Sequence, residues 1–146
     1  MRKIRRAAQL TLSDWRYLAI ASLKLLIARV RFSTAATARI LQELQERSLA
    51  VPQERTGRSA IIDVERVSWA IILAARYVPW RSDCLIQAMA ADRWLRKHDL
   101  CADFHLGVAK DARGGLMAHA WLCYGDLTVT GGRYDAFAPL IEPPAK

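Results

Sequence analysis

The sequence predicts an α+β fold in which N-terminal helices pack against one further helix and a small antiparallel sheet. Three observations carry that expectation. Apolar residues recur at helical spacing through residues 10–78. From Asp103 onward the pattern alternates, with Phe104, Leu106 and Val108 on one side and Asp103, His105 and Gly107 on the other. Gly125-Asp126 then separates two short strand-like runs and suits a two-residue hairpin turn with glycine at its first central position.

Each element has its own signal. Ser13 and Asp14 offer N-cap side chains ahead of Leu18, Leu25 and Leu26, and Ser33 or Thr34 does the same for a stretch reaching Leu49. Pro52, Gly57 and the polar residues between them mark a loop. A third helix is expected from Ile61 to Tyr77, with Ile61, Val64, Val67, Ile71 and Ala75 at helical spacing. Pro79 stops it, because proline disfavours helical geometry in the residue before it. Ser82 or Asp83 caps a fourth helix running from Cys84 to about His98. The alternating segment that begins at Asp103 follows as a strand. Gly114-Gly115 marks a turn, and two more strands run from Met117 to Tyr124 and from Leu127 to Thr130.

At 146 residues and 53% hydrophobic, the chain reads as one domain, 1–146, with a basic helical part over 1–78 and a second part over 79–146. That apolar content excludes low-complexity disorder. Three widely spaced cysteines argue against a disulfide-stapled secreted scaffold and for reduced thiols in the cytoplasm. The longest apolar stretch, Tyr17 to Val30, is broken by Lys24 and closed by Arg29, short of the ~18–20 apolar residues of a membrane span. Arg2, Lys3, Arg5 and Arg6 imitate the start of a signal peptide, but Asp14 and Arg16 interrupt the approach and no small-residue cleavage site follows.

The net charge of +8 is unevenly placed: residues 1–50 hold ten Lys or Arg against three acids, residues 51–146 twelve against eleven. Such a segment attracts nucleic acid, anionic lipid or an acidic polypeptide, or is simply a solvated helix face. No nucleic-acid motif accompanies the charge, so nucleic acid is not expected as a partner. A weak contact with a membrane surface stays open.

Two residues stand out chemically. Cys84 falls in the first turn of its helix, where unpaired backbone N–H groups and the helix dipole favour a thiolate. Ala88, Ala91 and Leu95 share its face, and the two alanines let a strand approach closely. His119 lies mid-strand in Ala-His-Ala-Trp, with Trp121 and Cys123 on the same side of the pleat. A helix-start Cys and a His on a following strand form a nucleophile and base. A cysteine taken alone is more often a small buried residue. His98, Cys101 and His105 imitate metal-ligand spacing, but three ligands split over a helix end, a loop and a strand make a poor zinc site, and no metal or cofactor is expected. Trp15, Trp69, Trp80, Trp94 and Trp121 read as core or groove packing, with Trp121 walling the cleft beside His119.

The segments Cys84-Leu-Ile-Gln-Ala-Met-Ala, Leu106-Gly-Val-Ala-Lys-Asp, Ala118-His-Ala-Trp-Leu, Val129-Thr-Gly-Gly and Phe137-Ala-Pro-Leu140 resemble one family in order and spacing. That family is the leader peptidase of lasso-peptide biosynthesis (the C-terminal part of the B-protein), a branch of the transglutaminase-like cysteine proteases. The resemblance is strongest over residues 78–141 and implies a papain/transglutaminase-like core. It also implies removal of the leader from a ribosomally made precursor peptide, alongside a separate leader-recognition protein and a lasso cyclase. By the same resemblance Cys84 is the nucleophile and His119 the base.

The third member is where this sequence departs. Family members often carry an Asp on the strand after the His, at the position occupied here by Gly131. With a two-residue turn Tyr124 pairs with Leu127, and His119 falls opposite Gly132, or opposite Gly131 with a loop one residue longer. Asp126 sits at the turn, roughly 20 Å from His119 along an extended strand. Asp135 can fold back after the glycines and ranks above Asp126, and a backbone carbonyl or water is a further way to hold the imidazole. The missing carboxylate also motivates a second expectation, a non-catalytic scaffold or binding module on a degenerate fold. A third is a basic helical protein for nucleic acid or a membrane surface, and acyl transfer to an amine is a variant of the first.

Overall fold

A computed structural model of the chain describes residues 10–49 and 57–140, so Pro52 and the cations at positions 2–6 lie outside the described residues. The helices are α1 (Leu12–Thr34), α2 (Thr37–Leu49), α3 (Arg58–Ala75) and α4 (Cys84–Arg96). The strands are β1 (Asp103–Lys110), β2 (Leu116–Tyr124), β3 (Leu127–Thr130) and β4 (Ala138–Pro139). The fold class is α+β, as the change of periodicity requires.

Thr11, rather than Ser13 or Asp14, caps α1. The Asp14 N–H donates to the Thr11 hydroxyl at 3.2 Å, and the Thr11 N–H donates to the Asp14 carboxylate at 2.9 Å. This reciprocal capping box satisfies two donors that a helix start leaves unpaired, and it puts Asp14 inside the helix. Arg66 of α3 fastens the same end, donating to Ser13 Oγ at 2.8 Å and lying 3.9 Å from the Asp14 carboxylate. Its guanidinium also stacks 4.3 Å over the Tyr17 ring.

α1 runs on through Thr34, so Ser33 and Thr34 do not cap α2. Their hydroxyls donate back to the Arg29 and Val30 carbonyls at 2.9 and 3.0 Å, a bond open to such residues inside a helix. Arg31 pairs with Glu43 to hold α2 against α1, and Arg47 reaches Asp92 of α4 at 3.5 Å. α3 begins at Arg58, earlier than its apolar spacing suggests, with Gly57 as N-cap. Val64, Val67 and Ile71 are buried as expected, whereas Ile61 is exposed.

Asp83 caps α4, accepting from the Ile86 N–H at 3.3 Å. Ala88, Ala91 and Leu95 are fully buried along one side. The helix stops at Arg96, two residues before His98. There the Leu100 N–H bonds back to the Leu95 carbonyl at 3.1 Å across Asp99, whose φ is +56°.

The sheet is antiparallel throughout, in the order β3-β2-β1-β4. β1 and β2 pair from Asp103↔Cys123 to Lys110↔Leu116. In the Gly114-Gly115 turn the Asp111 carboxylate accepts from the Arg113 and Gly115 N–H groups, both at 2.8 Å. β4, which the sequence did not predict, pairs with Gly107 and Val108.

The β2–β3 hairpin opens as expected, with Tyr124↔Leu127 and φ +54° at Gly125. It then departs from a regular ladder. Cys123 pairs with Thr128 but Leu122 pairs with Thr130, so Val129 is an extra residue and β3 ends before any glycine is paired in the ladder with His119. This bulge turns both Val129 and Thr130 inward, each fully buried, and aims the Val129 carbonyl at Ser68 Oγ, 2.7 Å away.

Ala21, Leu25 and Ala28 of α1, the inner faces of α3 and α4, and Phe104, Ala120, Leu122 and Val129 of the sheet form one hydrophobic cluster. Asp92 is buried within reach of Arg96, at 2.8 Å, and Arg47. Its burial pushes the carboxyl upward, outweighing the downward pull of the two guanidinium groups. Trp94 and Trp121 are buried and Trp69 and Trp80 half-buried, but Trp15 is exposed, because α1 commits its alanine and leucine side to the core. Among the described residues no helix is long and apolar enough to cross a membrane.

Candidate active site

Cys84 is the first residue of α4, and the first bond of that helix joins the Gln87 N–H to the Asp83 carbonyl at 3.0 Å. The Cys84 and Leu85 N–H groups therefore precede the helical ladder, pointing from a helix start where partial positive charge collects. Gln87, one turn on, donates to the Ser82 carbonyl at 2.8 Å and ties the entering chain to the helix. Just ahead of Cys84 in the chain, Trp80 Nε1 and Ser82 Oγ are buried without a hydrogen-bond partner among the described residues. The sequence offered Ser82 as a cap and Trp80 as packing, but nothing in a residue's type says whether its polar atom is paired.

The other two cysteines differ. Cys101 Sγ lies 3.8 Å from Arg96 Nη1, and burial pushes the Cys123 thiol up, partly offset by hydrogen bonds to Tyr134 and Thr128. A raised thiol is a poor nucleophile at neutral pH. His98, Cys101 and His105 do not converge: His98 is exposed past the helix end and His105 stacks on Trp121. Among the described residues no group of His, Cys, Asp and Glu is placed to hold a metal ion.

His119 is held from β2 by a backbone group. Its Nε2 donates to the Gly131 carbonyl at 2.6 Å, which fixes the tautomer of the neutral ring and leaves Nδ1 as the basic nitrogen. At Gly131, where the resemblance to leader peptidases implies an Asp, no side chain fits. Its φ is +98°, and an added Cβ would sit 2.3 Å from the Trp121 Cβ. The carbonyl thus takes the contact a carboxylate would make. Asp126 lies in the exposed hairpin turn and Asp135 in the exposed segment before β4, and neither bonds to the imidazole.

Aromatic rings surround His119. Phe137 lies 4.7 Å away and Trp121 6.0 Å, centroid to centroid. Trp121 is itself sandwiched between Tyr134, 5.0 Å away and parallel, and His105, at 5.5 Å. Gly107, directly across from His119, makes room for this stack: a Cβ there would meet the Trp121 ring at 2.8 Å and the Ala138 carbonyl at 2.9 Å. Trp121 lies beside His119, and the loop that follows β3 adds Phe137 and Tyr134 to the same group of rings.

His119 and Trp121 project from the sheet face opposite Ala120 and Leu122, which join the cluster containing α4. The structure brings the imidazole together with Gly131, Trp121 and Phe137, while Cys84 packs at the helical side of the sheet. No hydrogen bond joins Cys84 and His119 among the described residues.

A family model described as the transglutaminase-like superfamily matches residues 23–142, a span that includes Cys84, His119 and Gly131. No curated protein and no solved structure matches the chain.

Proposed function

The chain belongs to the transglutaminase-like superfamily, and from that premise we propose that it is a cysteine peptidase that removes the leader from a ribosomally synthesised lasso-type precursor peptide. The observation that supports the reading best is His119 itself, tied by Nε2 to a carbonyl so that Nδ1 is left to accept a proton. In this reading substrate binding has to draw the start of α4 and the imidazole together, the Cys84 thiol then gives its proton to His119 Nδ1, and Sγ attacks the scissile carbonyl carbon. The Cys84 and Leu85 N–H groups receive the resulting oxyanion. His119 returns the proton to the leaving amine as the C–N bond breaks, leaving a thioester on Cys84. Water, deprotonated by His119, then releases the acid and restores the thiol. A separate leader-recognition protein delivers the precursor at raised effective concentration, a lasso cyclase takes the core peptide, and the cytoplasm keeps the thiol reduced.

A second reading, a non-catalytic module on the same fold, is favoured by one observation: the thiol and imidazole are not hydrogen-bonded to each other. Mass spectrometry of a precursor peptide incubated with its recognition protein and with wild type, Cys84→Ala or His119→Ala protein separates the two. The peptidase reading expects leader release by wild type and a loss of at least about a thousandfold in each variant. Intact precursor in all three samples, with binding verified, would establish the scaffold.

A further inference from the structure

α1 is apolar on two sides. Ala21, Leu25 and Ala28 are used in the core. On the outer side Leu12, Trp15, Leu23, Leu26 and Val30 recur at helical spacing, with exposures of 80%, 54%, 56%, 39% and 54%. A helix apolar all round belongs in a protein core or against lipid, yet no element among the described residues covers this side. From Leu12 to Val30 the stripe is roughly 27 Å long.

Charge says what covers it. By the helical angle of about 100° per residue, Lys24 and Arg31 border the stripe on one side and Arg29 on the other. All three are half-buried, as border residues are, and Arg16 is exposed near the N-terminal end. Asp14, the sole acid before Glu43, is turned inward onto Thr11 and Arg66. Beside the border, Lys97, which follows α4, and Arg93 of α4 crowd Lys24. After burial, these two cations are what lower its pKa, so like charges gather there around a half-buried ammonium. Arg2, Lys3, Arg5 and Arg6 precede the helix in the sequence.

We propose that the outer face of α1 docks on the surface of an anionic phospholipid bilayer, with its apolar stripe at the boundary of headgroup and acyl chain and its cations on the lipid phosphates. Trp15 among leucines, with long cations along both borders, is how an interfacial helix lies in the plane of a membrane. A second copy of the chain is a poorer occupant, since a two-fold contact would set the same cations against each other. An acidic partner protein would match the charge but would have to bring its own groove for a convex ridge, whereas a lipid surface deforms around it.

Co-sedimentation with vesicles tests this, independently of the peptidase reading. Wild type and Cys84→Ala protein are both expected to bind vesicles of phosphatidylcholine mixed with phosphatidylglycerol, far more than phosphatidylcholine alone, with binding that falls steeply as salt is raised. Leu23→Ser/Leu26→Ser, at exposed positions and with unchanged circular dichroism, is expected to weaken binding about tenfold or more. Arg16→Glu should weaken it through charge alone. Failure of wild type to bind the mixed vesicles at low salt, or equal binding by the serine variant, overturns the proposal. So does a dimer in light scattering that the serine variant abolishes, or capture of an acidic amphipathic peptide in place of vesicles.

Discussion

At the scale of single residues, the decisive contact is a backbone carbonyl on His119, where the resemblance to leader peptidases implies a carboxylate. A neutral acceptor holds the imidazole in place but stabilises the imidazolium about half as well as a charged one. Gly131 cannot be repaired into an acid, because its φ of +98° and the 2.3 Å approach to the Trp121 Cβ admit no side chain. Gly131→Ala is expected to cost about 2–4 kcal/mol of stability, read as a lower urea midpoint at unchanged slope, and to remove the proposed leader cleavage with it. Asp135→Ala and Asp126→Ala, by contrast, should keep kcat/KM within about threefold, since neither carboxylate touches the ring. A hundredfold fall in either would return the orienting role to a carboxylate. The departure at Gly131 was legible in the sequence as a missing acid. Its replacement was only one of several readings, because a backbone atom leaves no mark on residue type.

At the scale of elements, what the sequence made legible follows period and local chemistry. Burial of Ala88, Ala91 and Leu95 was readable because a helix repeats its face, and alternation placed β1 and β2. The turn at Gly125 was readable because only glycine enters that conformation cheaply. β4 escaped notice: two residues, one of them proline, carry no period. The bulge at Val129 escaped too, since inserting one residue leaves the sequence pattern plausible in either register. Trp121 depends on both hidden features, lying flat because Gly107 has no side chain and because the chain after β3 returns Tyr134 over it. Gly107→Ala is therefore expected to destabilise by about 1–3 kcal/mol, forcing either the Trp121 ring or β4 to move. Hydrogen exchange should then speed selectively at the Leu140 amide, which bonds to the Leu106 carbonyl across that edge. Uniform exchange in variant and wild type would mean that the sheet absorbs the methyl without losing its outer strand.

At the scale of the whole molecule, two titrating groups on opposite sides of the sheet push stability in opposite directions with pH. His105, stacked on Trp121 at the outer face, has its pKa lowered below 6.5 by burial, with Asp103 only partly offsetting it. The unfolded chain therefore binds that proton more readily than the folded one. Its contribution is present above 6.5 and is lost as pH falls through the depressed folded value. Asp92, on the core side, has its pKa raised above 3.8 by burial. Its contribution is full below 3.8 and is lost as pH rises through the folded value, so acidification there favours the fold. The imidazole's share makes the melting temperature fall as pH drops through and below 6.5, so His105→Gln is expected to raise the melting temperature at acid pH relative to neutral pH when compared with wild type. Asp92→Asn should leave the slope below neutrality unchanged or steeper, since it removes the group that resists acid. Parallel curves for wild type and His105→Gln would assign the acid sensitivity to other groups and leave the buried stack on Trp121 as packing alone.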